Sequence, residues 1–157
     1  MKAASISELQ KELGLCERKR LLELCLRMAK YKKENKELLT YLIFEAHDEK
    51  AYIHSVKELI EEGFDIMNRD TVYLTKKSLR KVLRMVNKFV KYSGSKQTEI
   101  ELRFYFCSKI RKAYIPIDRS TVLSNLFHRE MEKITKLLSK MHEDIQYDYH
   151  QELNKLR

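Results

Sequence analysis

Turn-forming and cross-linking residues are scarce in this chain of 157 residues. It has three glycines, one proline and three cysteines. So few glycines and prolines leave little material for tight turns and sheet edges, and they favour long helices joined by short connections. Cys16, Cys25 and Cys107 are odd in number and form no C-x-x-C pair. They read as three reduced, buried thiols in a cytosolic protein rather than a disulfide framework. No apolar run approaches the 18 residues or so that a membrane span requires. The densest stretch, Leu38 to Phe44, is interrupted by Thr40. The opening Met-Lys-Ala-Ala-Ser-Ile-Ser-Glu lacks the apolar core of a signal peptide, so no membrane role and a cytoplasmic location are expected.

Charge of one sign is missing from a long stretch. Residues 71–98 hold eight Lys or Arg and no Asp or Glu, whereas residues 34–70 hold four bases and ten acids. The net charge of +9 is therefore distributed in blocks, and a partner meets the local block before it senses the sum. Within the basic block, Lys77, Arg80, Lys81, Arg84, Lys88 and Lys91 recur at helical spacing. At 100° per residue they span an arc of about 100°, opposite Leu79, Val82, Leu83, Val86, Phe89 and Val90. Such a stripe is suited to binding an anion, or to nucleic-acid phosphates contacted without base readout. Glu58, Glu61, Glu62 and Asp65 form a comparable acidic stripe on the preceding helix, which would partly neutralise it if the two lay side by side. Arg18, Lys19 and Arg20, with Lys30, Lys32, Lys33 and Lys36, make a second basic group; Lys109, Arg111 and Lys112 make a third.

The helical pattern predicts an all-α fold of six to seven helices in one domain spanning residues 1–157. The architecture is either an irregular bundle or a short stack of helical hairpins like HEAT repeats. Ser5 and Glu8 make a capping box, and Gly14-Leu15 suits a Schellman stop near Leu13. Further helices are expected from Glu17 to Lys32, from Glu34 to Ala46, and from an Asp48 cap to about Met67 with Ile53, Val56, Ile60 and Phe64 inward. Thr75 is the expected cap of the basic helix. Gly94 should end it and Ser95 should cap the next, which carries Ile100, Phe104, Cys107 and Ile110 inward. From Asp118 or Ser120, the three-four spacing of Phe127, Met131, Ile134, Leu138, Met141 and Ile145 predicts a long C-terminal helix, unbroken from Ser120 to Leu156 at its fullest. A projecting seam of that kind would invite coiled-coil self-association.

Enzyme chemistry finds no support in the residues. His142 and His150 lie about 12 Å apart along a helix, too far to share a metal. His47 and His54, near Glu45 and Asp48, lack H-x-x-x-H spacing. Ser93-Gly94-Ser95-Lys96 lacks the frame of a phosphate loop. No cofactor or metal is expected. The sequence reading is a non-enzymatic interaction module, either an adaptor for an acidic protein partner or a self-associating scaffold. Sequence-nonspecific nucleic-acid binding by the stripe is the alternative.

Overall fold

A computed structural model describes residues 2–156. Its backbone divides into two compact units, one ending at Phe44 and one beginning at Glu45. All regular structure among the described residues is helical, with eight α-helices and no strand.

The first unit holds α1 (Ile6–Gly14), α2 (Arg18–Tyr31) and α3 (Lys33–Thr40). The capping box forms as expected. Ser5 Oγ accepts from the Glu8 amide, and the Glu8 carboxylate accepts from the Ser5 amide at 2.7 Å. The expected Schellman stop does not form. Leu15 caps α1 in a right-handed conformation (φ −92°), and Gly94 is the one glycine with a positive φ among the described residues. A single extended residue, Lys32, joins α2 to α3, and the Asn35 side-chain amide donates to the Met28 carbonyl at 2.9 Å. The third helix, expected to reach Ala46, is α-helical only to Thr40 and then widens into a π-helical turn at Tyr41–Glu45. None of α1, α2 or α3 fully buries a side chain.

The second unit contains α4 (Glu49–Asp65), α5 (Val72–Ser93), α6 (Lys96–Lys112), α7 (Thr121–Leu138) and α8 (Glu143–Leu156). Asp48 caps α4 through the Ala51 amide, and Ile53, Val56, Ile60 and Phe64 are buried as expected. Helix α5 begins one turn earlier than expected. Thr71 is its cap, accepting from the Leu74 amide, while Thr75 is buried inside the helix and donates back to the Thr71 carbonyl. Gly94, at φ 66°, ends α5 and Ser95 caps α6 through the Thr98 amide. The Glu49 carboxylate accepts from the Ser93 and Thr98 hydroxyls, which fixes this turn to the start of α4.

The inner faces of α5 and α6 differ in width. The fully buried residues of α5, Thr75, Leu79, Val82, Val86 and Val90, cover an arc of about 80° at 100° per residue. On α6, Thr98, Ile100, Leu102, Arg103, Phe106, Cys107 and Ile110 cover about 200°. Helix α6 accordingly touches α4, α5, α7 and α8 and forms the axis of the unit. Phe104, expected inward, is half-buried at the side of that axis, edge-on to Tyr149 with ring centroids 5.9 Å apart.

The expected long C-terminal helix is two helices. The chain turns between Ser139 and His142, where the Lys140 and Met141 amides bond back three residues to the Leu137 and Leu138 carbonyls. The Gln146 side-chain amide donates to the Met141 carbonyl left free by the break. The seam of Met131, Ile134 and Leu138 is buried, with α7 packed on α6 and α8 folded back against both. A projecting coiled-coil seam is therefore absent from the described residues.

Two ionised side chains sit in this core. The Arg103 guanidinium donates to Glu99 at 2.7 Å and, across the α6–α7 contact, to Glu130 at 2.5 Å. Lys133 donates to the second Glu130 oxygen at 2.7 Å. Both Glu130 oxygens are thus occupied, as a buried carboxylate requires. Removing one partner leaves an uncompensated charge. Glu130→Ala should lower unfolding stability by about 3–5 kcal/mol in urea titrations, and Arg103→Met combined with Glu130→Leu should cost much less.

Helices α4 and α5 approach closely at Gly63. A Cβ built there meets the Val82 Cγ2 at 2.8 Å, a contact that a β-branched side chain cannot easily relieve. Overpacking costs about 1–3 kcal/mol, against at most about 1 kcal/mol of helix propensity gained. Gly63→Ala should therefore destabilise, and adding Val82→Ala should recover part of the loss in the same denaturation assay.

Candidate anion-binding surface

Helix α5 packs on α4 and α6 with its narrow apolar side. The basic stripe is centred about 180° from that side. Lys77, Arg80, Lys81, Arg84 and Lys91 are exposed, and Lys88 is half-buried with its ammonium 4.8 Å from the Phe89 ring centroid. From Lys77 to Lys91 the stripe extends about 21 Å at 1.5 Å per residue. All six predicted residues thus share one face.

The acidic stripe on α4 forms no direct ion pair with five of its six residues. Among the described residues no carboxylate forms an ion pair with Lys77, Arg80, Lys81, Arg84 or Lys91. Glu58 instead pairs with His54 on its own helix at 3.5 Å, and Glu61 turns to α6. Glu62 and Lys81 share the rim of a hollow of about 260 Å³ between α4 and α5 without pairing. Two ion pairs tie α4 to α6, where Lys57 meets Glu101 at 2.5 Å and Lys109 meets Glu61 at 3.0 Å.

The third basic group is consumed by the fold. Lys109 holds Glu61, and the Arg111 guanidinium donates to the Leu156 carbonyl at 2.8 Å while lying 4.8 Å from the Phe127 ring centroid. Of the three, only Lys112 is exposed. The second group belongs to the first unit, where Arg20 pairs with Glu23 and Lys33 with Glu37 on their own helices.

Glu61 also accepts from the Tyr105 hydroxyl. The bonds from Tyr105 and Lys109 hold its carboxyl below the ordinary 4.5. Burial, with the Glu61 carboxylate beside it, pushes the Tyr105 phenol from 10.0 up to about 12. The signs follow from linkage. A raised phenol pKa contributes stability that is complete below pH 10 and is lost toward pH 12; a lowered carboxyl contributes stability that is complete above pH 4.5 and is lost below it. Urea unfolding across the alkaline range should show wild type losing stability between pH 10 and about 12, and Tyr105→Phe losing less.

Other candidates resolve into structure. Cys107 is buried, but Cys16 is half-buried and Cys25 exposed, which corrects the expectation of three buried thiols. Burial pushes the Cys107 thiol well above its ordinary range, the Glu130 carboxylate adding to this and Arg103 opposing it, so it is held protonated. His142 pairs with Asp144 at 3.2 Å on the surface. Among the described residues no group of three His, Cys, Asp or Glu is placed to hold a metal ion. Ser93-Gly94-Ser95 serves as the turn and cap described above. The Arg103–Glu130 network was not anticipated, because a charged residue inside an otherwise apolar pattern reads as surface. No protein-family model, curated protein or solved structure matches the chain.

Proposed function

We propose that this chain is a non-enzymatic helical interaction module whose α5 face binds an anionic partner, and that nucleic-acid phosphates are that partner. The observation that carries the reading is the row of five exposed cations on α5 with no acidic partner among the described residues. Charges left unpaired at helical intervals keep their counterions until a polyanion displaces them. The arc of the stripe carries no Asn or Gln, which favours backbone contact without base-edge readout, while Tyr73, exposed on the first turn of α5 in line with the stripe, offers one ring for base stacking. A helix face of about 21 Å spans several phosphates of a duplex. Self-association through α7 has less to support it, because Met131, Ile134 and Leu138 are already used by the core. No helix among the described residues is long and apolar enough to cross a membrane.

The test is binding to labelled duplex and single-stranded DNA and RNA across a salt series. Wild type should show log affinity falling against log salt with a slope of about −4 to −5 for five duplex phosphate contacts. Combined Arg80→Glu, Lys81→Glu and Arg84→Glu should abolish binding. The same charge change at Lys2, Lys11 and Lys19 should leave most of it. Absence of binding at low salt, or equal loss in both variants, rejects the proposal.

A further inference from the structure

The first unit carries a feature that the α5 reading leaves unused. The angle between α2 and α3, continued by the π-helical turn, encloses a groove of about 560 Å³. Leu26, Leu39, Ile43 and Phe44 give it an apolar lining, and three of these stay open to solvent, with Leu26 47%, Ile43 58% and Phe44 66% exposed. A π turn shifts the side chains that follow it out of α-helical register, and such turns recur at functional sites. Here the turn brings Ile43 and Phe44 into the groove beside Leu39.

The rim has one sign. Lys30, Lys32, Lys33 and Lys36 border the groove, and no acidic side chain lines it. Lys33 reaches Glu37 at 3.8 Å; among the described residues nothing pairs with the ammonium groups of Lys30, Lys32 or Lys36. An apolar channel flanked by lysines is complementary to a helix with an apolar stripe between acidic edges. A flat anionic membrane fits less well, because the apolar side chains lie in a concavity rather than on a protruding ridge.

We infer that this groove is a docking site for an acidic amphipathic helix of a partner protein. Anchors spaced three and four residues apart would enter among Leu26, Leu39, Ile43 and Phe44, and flanking Asp or Glu would meet the lysines. This assigns the first unit a protein partner, separate from the polyanion proposed for α5.

The test uses the full chain and a fluorescent peptide of about 18 residues, five helical turns. It carries Leu at the i, i+3, i+4 and i+7 positions with Glu on the flanks. A second peptide keeps the leucines and replaces Glu by Lys. The acidic peptide should bind and the basic one should not. Ile43→Asp with Phe44→Asp, and separately Lys32→Glu with Lys36→Glu, should each weaken binding about tenfold or more. All four side chains are exposed, so circular dichroism and unfolding should match wild type. The Arg80, Lys81, Arg84 reversal should leave peptide affinity unchanged, which separates failure here from failure of the nucleic-acid reading. Equal binding of both peptides, or loss only in the α5 variant, overturns the inference. So does retention of peptide binding in both groove variants. Binding to phosphatidylserine vesicles without peptide binding assigns the groove to a membrane, and a concentration-dependent dimer abolished by Ile43→Asp assigns it to a second copy; either overturns it as well.

Discussion

Arg103 is a guanidinium held where water hardly reaches, with 6% of its surface exposed, and the second unit is arranged around satisfying it. Its carboxylate partners lie on α6 itself and on α7, and the Lys133 ammonium completes Glu130 from the edge. A buried pair of this kind adds little net stability over a well-packed apolar pair, but it penalises arrangements that leave either charge alone. The register of α7 on α6 is thereby fixed: sliding by one turn would separate Arg103 from Glu130. The apolar contacts around them, Phe106, Ile110, Phe127 and Ile134, tolerate small shifts far better than this pair does.

Placing α6 at the axis also decides where charge is left over. Helix α4 meets α6 through Lys57–Glu101 and Glu61–Lys109, so Glu61 is engaged away from the basic block. Helix α5 touches the unit by a narrow apolar strip, and among the described residues Lys77, Arg80, Lys81, Arg84 and Lys91 on its outer side make no ion pair. An arrangement in which α4 and α5 exchanged charges along their length would have given a balanced surface. The packing instead separates the signs, and the outer face of α5 remains positive.

Elements with a strong local signal were legible in the sequence. The Ser5–Glu8 box, the Asp48 cap, the Gly94 stop and the Ser95 cap formed as their chemistry requires, and Ile53, Val56, Ile60 and Phe64 face inward. All six residues of the basic stripe share a face because periodicity depends only on helical geometry. What failed depended on neighbours distant in sequence. The break after Leu138 has no glycine or proline to announce it; it is stabilised by Gln146 and by the burial gained when α8 folds back onto α6. Thr75 and Thr71 offer equivalent hydroxyls, and burial of Thr75 decides between them. Gly14 could have adopted a left-handed stop but did not. The π turn at Tyr41–Glu45 left no mark in the pattern, and the groove it shapes was invisible for the same reason.

The Glu99–Arg103 contact lies within one helix and needs no other element to form. When α6 has been made and α7 has not, Glu130 does not yet exist in the chain, and the face of α6 that will meet α7 has nothing to cover it. Arg103 nevertheless has a carboxylate one turn back on its own helix, at 2.7 Å in the finished fold. That intrahelical pair gives the growing helix a local partner for its charge until the chain is about thirty residues longer, at which point Glu130 arrives to share it. Glu99 thus offers Arg103 a partner that does not depend on α7, and the same carboxylate remains in the network that Glu130 completes.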